Sequence, residues 1–225
     1  MKYMTQLLKK HKAMSYIDKI TSVHLDILKE IGNIGAGHAA TSLSTILGRK
    51  MNMNVPHVRI LSFNEMIELA GGPETVVASV FLRIEGDAQG NMFFILPLEQ
   101  AARFIEQMTG TEAFSFDHLP IPELALSALS ELGNILSGSY LSSLSDFTKL
   151  SLYPSVPALC IDMVGATVSA GLIELSQVSD FVIVVETAIG EDVESSTFIN
   201  GHFFFLLDPE SYEIVFHSLG VPLHG

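Results

Sequence analysis

The sequence predicts an α+β fold in which two related halves share one continuous antiparallel sheet, with helices packed on it. Three observations carry this expectation. First, segments recur at an offset of 101 residues: Leu28-Lys29-Glu30-Ile31-Gly32-Asn33-Ile34 answers to Leu129-Ser130-Glu131-Leu132-Gly133-Asn134-Ile135. Ser42-Leu43-Ser44 likewise answers to Ser143-Leu144-Ser145, and Val55-Pro56 to Val156-Pro157. Second, each half groups its strands together with helices at either end, an order that favours antiparallel pairing. Third, each half alone is small, so both would pack about a pseudo-twofold axis as one body.

Taken in order, a first helix carries Glu30 and Asn33, or Glu131 and Asn134, and runs to about Leu47 or Leu150. A first strand follows over roughly Asn54 to Ser62, or Pro157 to Val164, and Asn64 to Ala70 reads as a helix or loop. Two long strands come next, Thr75 to Glu85 with Asn91 to Leu96, and Phe181 to Ile189 with Ser196 to Leu207. The second of each pair is an aromatic-rich run after a glycine, Gly90 or Gly201, which reads as the closing strand of a hairpin. A short amphipathic helix ends each half, Glu99 to Gly110 and Pro209 to Gly220. From Gly90 to Gly201 the offset has grown to 111, and the ten extra residues are placed in the acidic turn Ile189 to Ser196. The expected layout is an N-terminal extension, 1–17, then repeats over 18–112 and 121–220 within one domain. Phe114 to Glu123, with Pro120 and Pro122, is the linker.

Composition narrows the function. Of 225 residues, 48% are apolar and 16% charged, a globular balance. The formal charge of −13 argues against nucleic-acid binding, which needs clustered Lys and Arg on phosphates. It suits a basic protein partner or simply a solvated acidic surface. No apolar run reaches the ~20 residues of a membrane span. Met1 to Met14 carries Lys2, Lys9, Lys10 and Lys12 without an apolar core, so it is read as a short basic helix or a tail rather than a secretory signal. The lone Cys160 excludes an internal disulfide and reads as a small buried hydrophobe. A cytoplasmic location follows as the expectation.

What the halves repeat is polar. Glu30, Asn33 and Pro56 return as Glu131, Asn134 and Pro157, with two residues between Glu and Asn and twenty-two between Asn and Pro both times. On a helix, Asp26, Glu30 and Asn33 fall on one stripe, as do Ser127, Glu131 and Asn134. A solvated face has no reason to choose Asn, a poor helix former, twice. A Glu on such a stripe can pair with a cation on a partner, and an Asn can orient a water. Positioning water beside a phosphoryl group supplies most of the catalysis in phosphoryl hydrolysis. The stripe has no base to hold phosphate, so a partner would supply charge neutralisation and metal.

Both copies, with the phrases Glu30-Ile31-Gly32-Asn33-Ile34-Gly35-Ala36-Gly37-His38 and Glu131-Leu132-Gly133-Asn134-Ile135-Leu136-Ser137-Gly138-Ser139, closely resemble the CheC family of chemotaxis phosphatases. The resemblance spans about residues 20 to 220. It implies hydrolysis of the aspartyl phosphate of the response regulator CheY at two sites. Glu30 and Glu131 would contact the regulator, and Asn33 and Asn134 would position the attacking water. Asp26 and Ser127 would fill the first motif position, and Pro56 and Pro157 would shape the site. The chain would need no cofactor of its own, since Mg²⁺ would sit in the regulator. Some members also bind the receptor deamidase CheD through the helix after the second motif. That points to Tyr140, Asp146 and Phe147, where the second half departs from the first; simple divergence of a buried helix is the other account.

Competing readings are weaker. Gly35-Ala36-Gly37-His38-Ala39-Ala40 fits a dinucleotide fingerprint, but a helix rather than a strand precedes it and no acid follows about twenty residues on. Gly32, Gly37, Gly133 and Gly138 read instead as places where a helix bends or nears a neighbour. The eight histidines are scattered and none recurs across the halves, which disfavours metal ligation, and no nucleophile elbow appears. The serious alternative is a non-catalytic binding or scaffold module of the chemotaxis and flagellar switch system that holds CheD or phosphorylated CheY.

Overall fold

A computed structural model describes residues 16–172, 181–190 and 199–223. Helix α1 (Ser22–Leu47) begins after Thr21, whose backbone N–H donates to His24 Nδ1 at 2.9 Å. That leaves His24 Nε2 as the donor to the Val221 carbonyl, 3.0 Å away, which ties the end of the chain to the start of α1. The helix stops at Gly48, whose φ of 62° is left-handed backbone. Strands β1 (Asn52–Asn54) and β2 (Val58–Ser62), helix α2 (Phe63–Leu69), the hairpin β3 (Val76–Gly86) and β4 (Gly90–Pro97), and helix α3 (Leu98–Thr109) complete the first half. The second half repeats the order as α4 (Glu123–Thr148), β5 (Leu152–Pro154), β6 (Ala158–Met163), α5 (Val164–Leu172), β7 (Phe181–Gly190), β8 (Ile199–Leu207) and α6 (Pro209–Ser218).

The strand expected over Asn54 to Ser62 is β2, with Asn54 ending a separate β1, and the strand expected over Pro157 to Val164 is β6 alone, with β5 before Pro157 unforeseen; Pro56 and Pro157 part the members of each pair. Proline cannot donate to a ladder, so the pairing breaks there. The expected extension and the acidic turn fall mostly outside the described residues, which begin at 16 and skip 191–198. No helix among the described residues is long and apolar enough to cross a membrane.

Among the described residues one eight-stranded antiparallel sheet runs in the order β1-β7-β8-β4-β3-β5, with β2 also on β7 and β6 also on β3. Exchanging β1 with β5, β2 with β6, β3 with β7 and β4 with β8 turns this order into its own reverse. The halves therefore meet at β4 and β8, where Phe93 stands opposite Phe204. Each half also lends its short strands to the other's hairpin, which no pair of separate domains could do.

The central strands are buried on both sides, and their alternation sorts residues between two layers. Met92, Phe94 and Leu96 of β4 and Phe203, Phe205 and Leu207 of β8 join the large core beneath α1, α3, α4 and α6. Phe93, Ile95, Phe204 and Leu206 face the other way, onto Met66 of α2 and Val164 and Val168 of α5. Truncating such a buried Phe to Ala costs about 3–5 kcal/mol. The segment between the halves is no free tether: Phe114, Phe116 and Ile121 pack on the core, and the Phe114 N–H donates to Glu106 Oε1 at 2.8 Å.

Cys160 departs from its expected burial and is exposed. On β6, Leu159 and Ile161 take the partly buried phase against β3, and Cys160 between them falls on the opposite phase.

Candidate functional site

α1 and α4 lie together on the large core, each turning an apolar side inward and a polar stripe outward. On α1, Leu28, Ile31, Gly32 and Gly35 are buried, while Asp26 and Glu30 are exposed and Asn33 is half-buried. On α4, Leu129, Leu132, Gly133 and Leu136 are buried, and Ser127, Glu131 and Asn134 are exposed. Each stripe extends about 10 Å from its first residue to its Asn, seven residues on. Among the described residues neither Glu forms an ion pair, and no three His, Cys, Asp or Glu side chains gather to hold a metal ion.

The spacing from Asn to Pro has a physical reading in the first half. Asn33 Oδ1 accepts the Val55 backbone N–H at 2.9 Å, and Asn33 Nδ2 donates to the Lys29 carbonyl at 3.1 Å. The chain has run to the end of α1 and back, which brings the residue before Pro56 beside the Asn. The proline ring holds that residue extended. Val55 is only 2% exposed. In the second half the corresponding loop stands clear: Val156 is 90% exposed, and Asn134 makes no side-chain hydrogen bond among the described residues. Pro56 and Pro157 are both half-buried.

Tyr140, expected on a partner surface, is in the core instead at 8% exposure. Its hydroxyl meets Thr187 Oγ1 at 3.0 Å, its ring packs edge-on against Phe203, and burial raises its pKa above the ordinary phenol range. The divergence at Tyr140 is explained by packing, since it fills the space beside Gly32 and Gly35. Asp146 and Phe147 are exposed, Phe147 by 48%.

Gly32, Gly37, Gly133 and Gly138 divide by role. A Cβ on Gly133 would stand 2.5 Å from Val80 Cγ1, and one on Gly32 3.4 Å from Val55, so both lie where the helix nears a neighbour. Gly37 and Gly138 differ: a Cβ there would meet nothing within 4 Å. Both continue the polar stripes by four residues.

Two flanking residues escape a reading based on polar chemistry. Val23 and Leu124 are 54% and 62% exposed, three residues before Asp26 and Ser127. They share the offset of 101, and that shared position outside the apolar phase was the available signal. Each stripe thus begins with an exposed apolar residue, as a protein-docking surface does.

A model of the CheC-like family matches residues 23–60 and 124–161, the two segments that carry the stripes and their prolines. The chain is 48% identical over 210 residues to the CheY-P phosphatase CheC of Bacillus subtilis (strain 168), covering 93% of this chain and 100% of that protein. It is 30% identical over 129 residues to the flagellar motor switch phosphatase FliY of the same organism, covering 57% of this chain and 33% of FliY. Among solved structures, Thermotoga maritima FliY superposes with a TM-score of 0.68 at 23% identity, over 89% of this chain and 98% of that one. That likeness concerns the fold.

Proposed function

The chain belongs to the CheC-like family, and from that membership we propose that it is a hydrolase that dephosphorylates the response regulator CheY in chemotaxis. The reaction adds water to phosphorus and breaks the bond to the aspartyl oxygen, leaving a free carboxylate and inorganic phosphate. The observation that carries this reading is Asn134 beside Glu131 on an exposed helical stripe, with its carboxamide uncommitted. Glu131 contacts the regulator. Asn134 enters its active site and orients the attacking water with both ends of its carboxamide, the accepting oxygen and the donating nitrogen. Glu30 and Asn33 form the same pair on α1, with Asp26 and Ser127 one turn earlier and Pro56 and Pro157 fixing the loops beside the pairs.

No Lys, Arg or His lies on either stripe, so this chain brings no cation to the phosphoryl group. A Mg²⁺ held by the regulator would supply the charge neutralisation that this chain's stripes lack. The chain acts in the cytoplasm as one domain made of repeats 18–112 and 121–220, with 1–17 as an extension. CheD is a second partner, bound at the exposed end of α4 through Asp146 and Phe147.

A binding module that holds CheD or phosphorylated CheY without turnover would use the same exposed helices. The two readings part in one assay. Phosphate release from phosphorylated CheY is followed with the chain at a small fraction of the regulator's concentration. A phosphatase accelerates the decay of the whole pool; a binding module leaves the rate unchanged or protects the phosphoryl group.

A further inference from the structure

Resting on the water-positioning role of Asn just proposed, we infer that the two sites are unequal: Asn134 serves the working site of the free protein, and Asn33 is latched by its own loop. Both ends of the Asn33 carboxamide are engaged. Its oxygen accepts the Val55 N–H at 2.9 Å, and its nitrogen donates to the Lys29 carbonyl at 3.1 Å and points at the Val55 carbonyl at 3.5 Å. The oxygen keeps a second lone pair, but these bonds hold the carboxamide against α1 and its own loop, so turning it toward a regulator's water means breaking the bond to the N–H of a residue that is almost wholly buried.

The second half dispenses with this latch by a specific substitution. Ser155, where the first half has Asn54, accepts the Arg83 N–H with its hydroxyl at 2.9 Å and donates its own N–H to the Arg83 carbonyl at 2.9 Å. The loop before Pro157 is thereby anchored to β3 rather than to the helix. Val156 swings into solvent and Asn134 is left with both ends of its carboxamide available. One half holds its loop with the Asn that the chemistry needs; the other holds it with a Ser and spares the Asn.

Releasing Asn33 exposes the free energy of an unpaired buried N–H, which disfavours the active arrangement at the first site by about 5- to 150-fold. The test uses matched aspartates. Asn33→Asp keeps an acceptor for Val55 N–H and so keeps the fold, while either substitution removes the carboxamide's donor face. Stimulated phosphate release from CheY-P should fall about fivefold or more in Asn134→Asp and less than about twofold in Asn33→Asp. Alanine variants give a second reading: Asn33→Ala should lower the thermal midpoint and speed hydrogen exchange at the Val55 amide, and Asn134→Ala should do neither. Equal losses of rate in the two aspartate variants, or a larger loss in Asn33→Asp, would overturn the inequality while leaving the phosphatase standing. A double aspartate variant with the wild-type rate would instead overturn the water-positioning role, and this inference with it.

Discussion

Tyr140 of α4 lies across Gly35 of α1: a Cβ on Gly35 would stand 3.0 Å from Tyr140 Cδ1 and 3.1 Å from the Ser139 carbonyl oxygen. This approach sets the spacing between the two helices that carry the stripes, so packing in the core fixes how the stripes sit relative to each other. Gly35→Ala should overpack the crossing and lower stability by about 1–3 kcal/mol, read from the urea midpoint. Tyr140→Phe, which removes only the bond to Thr187, should cost about 0.5–1.5 kcal/mol. A neutral Gly35→Ala would show that the helices are free to separate.

Gly138 presents the opposite case. A Cβ there meets nothing within 4 Å, so Gly138→Ala should stabilise the helix by up to about 1 kcal/mol. If the stripe meets the regulator as proposed, the added methyl should also reduce kcat/KM for phosphorylated CheY. A more stable variant with unchanged kcat/KM would place the regulator's contact elsewhere on α4.

If CheD docks through a basic surface at this end of α4, as proposed, Asp146→Lys should weaken the association about tenfold or more by setting a cation against it. Phe147→Ala should weaken it through lost apolar contact. Thermal unfolding should shift little in either variant, since both residues are exposed. Calorimetric titration with CheD decides this, and undiminished affinity in both variants would remove that end of α4 from the interface.

Burial holds the His202 imidazole below its ordinary pKa, opposed by the carboxylate of Glu186 and reinforced by Arg59. The unfolded chain therefore binds this proton at a higher pH than the folded protein does. Stability contributed by neutral His202 is present above about pH 6.5 and is lost as the pH falls below it. His202→Gln should flatten the pH dependence of the unfolding free energy across that window. Parallel pH profiles for the two proteins would contradict this.

The shared sheet was legible because a duplicated order of helix, hairpin and helix leaves strands that only each other can cover. The breaks at Pro56 and Pro157 were legible in principle, since proline stops a ladder, but Val55 and Val58 around the first and Val156 and Ala158 around the second masked them. Glu30, Asn33, Glu131 and Asn134 stood out as polar residues kept twice. What the sequence concealed was contact across the repeats. Tyr140 looks like a surface novelty until Gly35 is seen opposite it, and the identical spacing of Asn33 to Val55 and Asn134 to Val156 hides one closed loop and one open loop. The difference lies in Ser155 and its bonds to Arg83, a residue 72 positions away, beyond any local pattern.

The most direct test of the account pairs binding with turnover in the double variant Asn33→Ala, Asn134→Ala. Affinity for beryllofluoride-activated CheY is measured alongside the rate of phosphate release from CheY-P. The account predicts affinity within a few-fold of wild type, because Glu30, Glu131, Val23 and Leu124 remain, together with complete loss of the stimulated rate. Stimulated hydrolysis at the wild-type rate in that variant would contradict it.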